Sequence, residues 1–320
     1  MHSTSAIDQG SCKKPEEASI VRPYMLSRHN DQVVPPILHF VFGLNQTFGG
    51  KNFGYVAYLS MYSAMVETKP KRVMFWYLFL PTTIEEGVWW LEEIEDEVER
   101  LGIKFELKEA RHFDNIFGNP IAQYAHKADI IRLEALLEYG GIYLDLDVIS
   151  IRSYAPLMHF DTVIGLEGGL DHLPRQGVCN ALIISRPNST FLQRWYQSYH
   201  TFKDKDWAAH SVALPFRMAV SHPEEVLIMD PYSFFYPLWN DRGIRMVHSR
   251  SAELYGEGWD FNEGHQFAYH AWSSLAEKWL KKLTPDKVFE VETSFNLLVR
   301  RWTTERLREN WRNAVKEGHV

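Results

Sequence analysis

Two aspartates separated by one residue interrupt an otherwise apolar segment, Ile142-Tyr143-Leu144-Asp145-Leu146-Asp147-Val148. In an extended strand, residues i and i+2 project from one face with their Cα atoms about 7 Å apart. A strand this rich in Ile, Leu and Val reads as buried, where charge persists only when it is paired or coordinates a cation. An Asp-x-Asp placed where a strand leaves its sheet suits a hard divalent ion, Mn²⁺ or Mg²⁺, with positions left open for diphosphate oxygens. Taken alone, the pair also fits acids that cap a turn or form structural ion pairs. Asp129 and Arg132 stand upstream at i and i+3, so both project from one face of the preceding helix, and Asp129 lies 16 residues before Asp145.

The elements that position these residues follow from periodicity. Residues 1–34 are polar, without apolar period, and end at Pro35-Pro36, which reads as a flexible leader. From Ile37 short apolar runs alternate with helical periods: Ile37–Leu44, a helix over Asn52–Glu67, Arg72–Leu80, a helix over Ile84–Leu101, then Lys104–Leu107. That alternation is the signature of βαβ units with a parallel sheet. The acids of the Ile84–Leu101 helix read as solvated surface. A helix over Gln123–Glu138 stops at Gly140-Gly141, and Ile142–Ile151 reads as one strand. Further strands are expected at Thr162–Leu166, Cys179–Ser185 and Val226–Asp230, and helices at Ser189–Tyr199, Ser211–Val220 and Val288–Val315.

The bulk numbers exclude several classes. The chain has 320 residues, 45% of them hydrophobic, and 34 basic against 41 acidic side chains for a net charge of −7. A chain of this length buries about 75% of its unfolded surface without a disulfide or metal staple. Its two cysteines, Cys12 and Cys179, have no zinc-ligand spacing, which suits a reducing compartment. The acidic balance and the lack of a basic block argue against nucleic acid. The C-terminal arginines from Arg300 to Arg312 alternate with Glu305 and Glu309 and read as a solvated helix face. The longest apolar run, Val73–Leu80, has eight residues against the roughly 20 that span a bilayer, and no signal-peptide pattern opens the chain. Two glycosylation sequons begin at Asn45 and Asn188, and no Walker-type phosphate loop occurs.

The block His126-Lys127-Ala128-Asp129-Ile130-Ile131-Arg132-Leu133, followed by Glu138-Tyr139-Gly140-Gly141-Ile142-Tyr143-Leu144-Asp145-Leu146-Asp147, resembles the signature of the glycosyltransferase family 32 DXD sugar transferases. That group is related to α-1,4-galactosyltransferases, yeast mannosyltransferases and, distantly, the clostridial glucosylating toxins. Pro36-Ile37-Leu38-His39-Phe40-Val41-Phe42-Gly43 is similar to the family's first strand, and Tyr269-His270-Ala271-Trp272 to its C-terminal His-containing motif. The resemblance runs from about Pro35 to Ser274. It implies an α/β fold of GT-A type, a Rossmann-like mixed sheet flanked by helices. With the polar leader over 1–34 this puts the transferase domain over 35–283, and the helical extension over 284–320 falls outside the resemblance. The resemblance also implies metal-dependent transfer of a sugar from a nucleotide-sugar with retention of configuration.

Carried over by position, the resemblance makes Asp147 the principal metal ligand, with Asp145 reaching the donor ribose or sugar and the metal through water, and His270 completing the metal or diphosphate site. Asp129 and Arg132 would grip hydroxyls of the donor sugar, and Tyr143 falls among the donor contacts; Asn180, which begins the next strand, reads as a donor or acceptor contact. His39 and Phe42 end the first strand, where a nucleotide base lies in such folds, although both also serve as core residues. UDP is favoured over GDP as the donor nucleotide, and the acceptor class, whether glycan, lipid, protein or small molecule, stays open.

Glu167, Asp171, His172 and Arg175 in the Gly-rich stretch Gly165–Asn180 would border the acceptor side. Trp207, His210 and Ser211, and the aromatic run Tyr232–Trp239, would line a sugar groove or simply pack. Secretory relatives carry a membrane anchor and this sequence has none, so the chain as given reads as cytoplasmic, or as luminal if an anchor has been removed. Two other readings compete: a silent nucleotide-sugar or glycan binder, and an Asp-nucleophile phosphatase. The phosphatase site normally ends the first strand and carries Thr or Val two residues on, where this chain has Ile149.

Overall fold

The computed structural model describes residues 28–168, 177–250 and 258–320. Residues 1–27 of the expected leader, and Asp171, His172 and Arg175, lie outside the described residues. The leader's last residues are docked: His29 N donates to His159 O, Val33 N and Val34 N donate to Met158 O, and Val34 is buried.

The alternating pattern yields β1 (Ile37–Val41), α1 (Tyr55–Thr68), β2 (Arg72–Tyr77), α2 (Val88–Arg100) and β3 (Lys104–Glu109), with the three strands parallel. A minimal hairpin of β4 (Asn115–Ile116) and β5 (Asn119–Pro120) precedes α3 (Tyr124–Tyr139) and β6 (Gly141–Leu144). Next come β7 (Val148–Ser150), β8 (Thr162–Leu166), β9 (Val178–Ser185), α4 (Thr190–Ser198), α5 (Leu214–Ser221) and β10 (Leu227–Met229). The chain continues through α6 (Pro231–Phe234), α7 (Asp241–His248), β11 (Ala268–His270), α8 (Glu277–Leu280), α9 (Lys287–Glu290), α10 (Ser294–Val299) and α11 (Glu305–Glu317).

Seven strands form the main sheet in the order β10-β8-β9-β6-β1-β2-β3. It is the mixed, helix-flanked sheet expected, not a purely parallel one, because β9 runs antiparallel to both β6 and β8. A parallel return needs a crossover of a dozen or more residues, usually helical, and the stretch from Glu167 to Gly177 between β8 and β9 is too short for one. Strand order reverses at β1, which has β2 on one side and β6 on the other. A crevice therefore opens at the carboxyl ends of β1 and β6, the switch point at which open α/β sheets take ligands.

Three sequence-based expectations change. Ile142–Ile151 is not one strand. It breaks after Leu144, and β7 leaves to pair with β11 in a separate two-stranded sheet. The helix expected over Val288–Val315 is three helices, restarted where the hydroxyls of Thr293 and Thr304 accept the backbone N–H of Asn296 and Leu307. The acids of α2 are not all surface: Glu93 and Glu97 are buried. Arg306 on α11 pairs with both, and Asn310 Nδ2 donates to Glu93 Oε1 at 3.1 Å, so that arginine face is in part an inter-helix seam. Trp302 and Leu307 belong to the same apolar core as α1 and β1.

Candidate active site

The strand period fixes the first half of the site. Along β6, Ile142 and Leu144 enter the core shared with α1, while Tyr143 enters the core shared with α3 and α4. Asp145 adds one more rung, its N–H donating to Ala181 O at 2.8 Å, so it follows Tyr143 toward α3. The Tyr143 hydroxyl donates to Asp145 Oδ1 at 2.6 Å, and Arg132 Nη1 donates to the same oxygen at 3.0 Å.

Arg132 is buried and almost fully engaged. Nη2 lies 3.1 Å from Asp129 Oδ1, Nη1 donates to Asn180 O at 2.7 Å, Nε donates to Ala128 O at 3.2 Å, and the guanidinium carbon sits 4.5 Å over the Tyr143 ring. Asn180 Nδ2 in turn donates to Asp129 Oδ1 at 2.7 Å. The i, i+3 pair of Asp129 and Arg132 thus forms, inside the protein, and Arg132 braces both Asp129 and Asp145. Burial pushes the Asp129 carboxyl above the ordinary carboxylate range, with Arg132 and Asn180 pulling the other way.

The second half is built by the break after β6. Asp145 O accepts the N–H of Val148 at 3.0 Å, closing a turn that sends Asp147 away from α3. In the β7–β11 pairing His270 stands opposite Val148, and Asp147 O accepts the N–H of Ala271 at 2.8 Å. Asp147 Oδ1 then lies 3.1 Å from His270 Nε2, and Oδ2 accepts Ser273 N–H at 2.9 Å. Burial alone would raise the Asp147 carboxyl; the imidazole of His270 and the bonds from Ser273 outweigh it and hold Asp147 well below the carboxylate range. For His270 burial works downward, and Asp147, with the charges of Asp145 and Glu167, more than offsets it, so the imidazole is raised.

One ligand atom from each of Asp145, Asp147 and His270 falls within 4.8 Å of the others. Two carboxylates and an imidazole suit a divalent cation, and Asp147 lies apart from the Arg132 guanidinium that pairs with Asp129 and Asp145, so the residues fit a metal of that charge. The Nδ1 of His270 is buried without a hydrogen-bond partner. A cleft of about 1290 Å³ opens over the three, lined also by Phe42, Asp129, Arg132, Tyr143, Glu167, Cys179 and Asn180.

Of the described residues selected from sequence, His210 and the aromatic run Tyr232–Trp239 do not line this cleft, and neither does His39. It is fully buried, its Nε2 2.7 Å from Gly140 O, while Trp76 Nε1 donates to its Nδ1 at 3.2 Å. It locks the stop of α3 to β1. Gly140 and Gly141 serve that same junction at φ +63° and +114°, and a Cβ on Gly141 would fall 2.5 Å from Ile37 O. Phe42 does reach the cleft, stacked on Phe48 at 5.1 Å. Sequence reasoning missed Ser60, whose hydroxyl donates to Asp145 O at 3.0 Å, and Ser273. Serines carry no signal of such a role until the chain folds; Ser273 could have been found only by extending the Tyr269–Trp272 motif.

Residues 70–164 match the family described as "Glycosyltransferase sugar-binding region containing DXD motif". Glucan organizing enzyme 1 of Cryptococcus neoformans var. grubii serotype A is 38% identical over 294 residues, which cover 90% of this chain and 75% of that protein. Among solved structures, the PaToxG glycosyltransferase aligns over 84% of this chain and 87% of its own, with 14% identity and a TM-score of 0.40. The apo form of the glycosyltransferase GlyE of Streptococcus pneumoniae TIGR4 aligns over 84% of this chain and 63% of its own, with 10% identity and a TM-score of 0.45. The matched segment ends beyond the Asp145–Asp147 pair, and the alignment to the Cryptococcus protein spans most of both chains; the chain belongs to the glycosyltransferase family that carries the DXD-containing sugar-binding region.

Proposed function

We propose that the protein transfers a sugar from a nucleotide-sugar, a UDP-sugar in preference to a GDP-sugar, to an acceptor hydroxyl with retention of anomeric configuration, and that Mn²⁺ serves at Asp145, Asp147 and His270. The observation that carries this reading is the convergence of those three side chains at the mouth of the β1/β6 crevice, beside the Asp129–Arg132 pair. When bound, the cation supplies charge neutralisation to the departing diphosphate, in place of a general acid.

The chain's own groups do the rest. Asp147 and His270 present ligand atoms at the end of the β7–β11 ladder. Arg132 and Tyr143 hold Asp145 in one orientation, and Asp129 offers a braced carboxyl to donor hydroxyls. Phe42 and Gly43 line the nucleotide end of the crevice. In the transfer, the bond from the anomeric carbon to the diphosphate oxygen breaks with its electron pair going to the diphosphate. The acceptor oxygen bonds to that carbon from the same face, and its proton passes to the departing diphosphate oxygen. The name of the Cryptococcus relative ties that protein to glucan, which favours a neutral glycan as acceptor here. Among the described residues no helix is long and apolar enough to cross a membrane.

The test is donor turnover and binding across a panel of UDP- and GDP-sugars with Mn²⁺, with and without chelator, on wild type and Asp147→Ala. One donor consumed only with metal, and not by the variant, is the expected result. Turnover that ignores both chelator and substitution would remove the metal from the reading, and no donor engaging at all would leave a silent fold.

A further inference from the structure

The cleft extends past Asp129 to an end that the donor reading does not use. Tyr124, Trp207, Ala208, Ser211 and Val212 line it, from the first turn of α3 and the segment before α5. Trp207 is 62% exposed, more than any other large apolar side chain described. An indole left in water forgoes the burial free energy that ordinarily places tryptophan inside, so core packing does not account for it.

Its backbone is nonetheless pinned. His126, buried on α3, has Nδ1 2.8 Å from Asp204 Oδ1 and Nε2 3.4 Å from Trp207 O, and its ring centroid lies 5.2 Å from those of both Trp207 and Phe202. Gln123 N donates to the same Asp204 oxygen at 3.4 Å. The clasp ties segment 203–208 to the helix that carries Asp129 and Arg132. Directly after it, Ala209–Ala213 form a π-helical turn, a rare conformation frequent at functional sites. On the facing loop Gly49, at φ +62°, leaves room for Tyr124: a Cβ there would fall 2.4 Å from the phenol ring.

Position and chemistry select the occupant. From Arg132 back to His126 is six residues, roughly 9 Å along the helix axis, so Trp207 stands beyond a sugar held at Asp129 and Arg132 rather than over it. The lining is aromatic faces and hydroxyls. Lys127, on the same turn of α3, is turned to Asp114 at 2.9 Å, and Lys51 of the facing loop bonds Ser274 at 2.6 Å, which leaves the surface suited to a neutral ring and not to a phosphate.

We infer that Trp207 is the platform of an acceptor subsite: its exposed indole face takes the CH face of a neutral sugar ring, and the His126–Asp204 clasp holds it at a fixed distance from the donor site. The inference deepens the glycosyl-transfer reading and rests on it. The ring stacks without hydrogen bonds of its own, so Trp207→Phe keeps most of the interaction and Trp207→Ala loses it. Asp204→Asn loosens the platform without removing it.

The probes are neutral glucose hexasaccharides of β-1,3, β-1,6 and α-1,4 linkage, with binding to the full chain followed by saturation-transfer NMR and titration. Wild type is expected to bind at least one, Trp207→Ala to weaken that affinity by tenfold or more, Trp207→Phe by less than threefold, and Asp204→Asn to fall between. UDP affinity with Mn²⁺ on the same variants, whose melting curves confirm folding, is the contrasting readout. Equal hexasaccharide affinity in wild type and Trp207→Ala, or no binding by wild type, overturns the platform. A matching fall in UDP affinity moves Trp207 to the donor side and overturns the acceptor assignment. Hexasaccharide binding that depends on Trp207 in a protein that turns over no donor would sink the transferase reading and leave the platform standing.

Discussion

Asp147 and His270 stand 123 residues apart in sequence, and the β7–β11 ladder brings Oδ1 of one to within 3.1 Å of Nε2 of the other. The contact is a charge-assisted pair waiting at the place where, on the proposed function, both side chains turn to a cation.

His270→Ala should therefore weaken Mn²⁺ binding, by about tenfold or more, the equivalent of ~1.4 kcal/mol, while Asp147→Ala abolishes metal-dependent turnover. Calorimetric titration with Mn²⁺, repeated after chelation, measures the first, and donor consumption with Mn²⁺ measures the second. Unchanged Mn²⁺ affinity in His270→Ala would leave the histidine with a structural role only.

Arg132→Ala leaves Asp129 and Asp145 facing each other without their shared guanidinium. Removing one partner from a buried ion pair typically costs ~3–5 kcal/mol, and the denaturation midpoint should fall accordingly. Arg132→Lys is not a conservative rescue, because a point charge cannot reproduce the bonds to Asp129, Asp145, Asn180 and Ala128 at once. Donor affinity measured in Arg132→Lys at a temperature where it is folded separates positioning of Asp145 from bulk stability.

The α2–α11 seam makes a stability prediction remote from the cleft. Glu97 is 3% exposed and pairs with Arg306. Arg306→Ala leaves Glu97 with Arg100 at 3.7 Å and the Tyr58 hydroxyl at 3.2 Å and should destabilise by about 3 kcal/mol, whereas Glu97→Gln with Arg306→Ala should recover part of that loss. A double-mutant cycle in urea reads the coupling; additive single effects would contradict it.

His39 and His248 give the pH dependence. Burial lowers His39 from 6.5 to about 4 and His248 to about 3, so both are neutral in the native protein. The unfolded chain binds the extra protons first, which means stability is full above pH 6.5 and declines as the pH falls toward 4. For His39 the loss approaches 3 kcal/mol, at 1.36 kcal/mol per pKa unit. Urea midpoints at pH 7.5, 6 and 5 should drop in sequence, and His39→Gln should flatten that slope; an identical slope in the variant would show that other groups set it.

Read residue by residue, the sequence already held the first half of the site. Strand period puts Tyr143 and Asp145 on one face, helix period puts Asp129 and Arg132 on one face, and Gly140-Gly141 fixes the joint between the two elements. Those are local rules acting over a few residues, and each appears in the structure. The same-face rule does not reach Asp147, because β6 ends at Leu144 and its ladder carries one bond further, at Asp145; the turn from Asp145 O to Val148 N leads into β7, whose partner β11 lies more than a hundred residues on. His39 reads like a ligand in sequence and becomes a buried brace because β1 is covered on both sides. The acids of α2 read as solvated because their partner Arg306 lies on a helix over two hundred residues away. Period and turn chemistry are properties of the local chain, so most of the elements and half of the site can be read from residue order. Which strand closes against which, and which charge meets its counter-charge, are long-range pairings set by burial and desolvation, and no local pattern contains them.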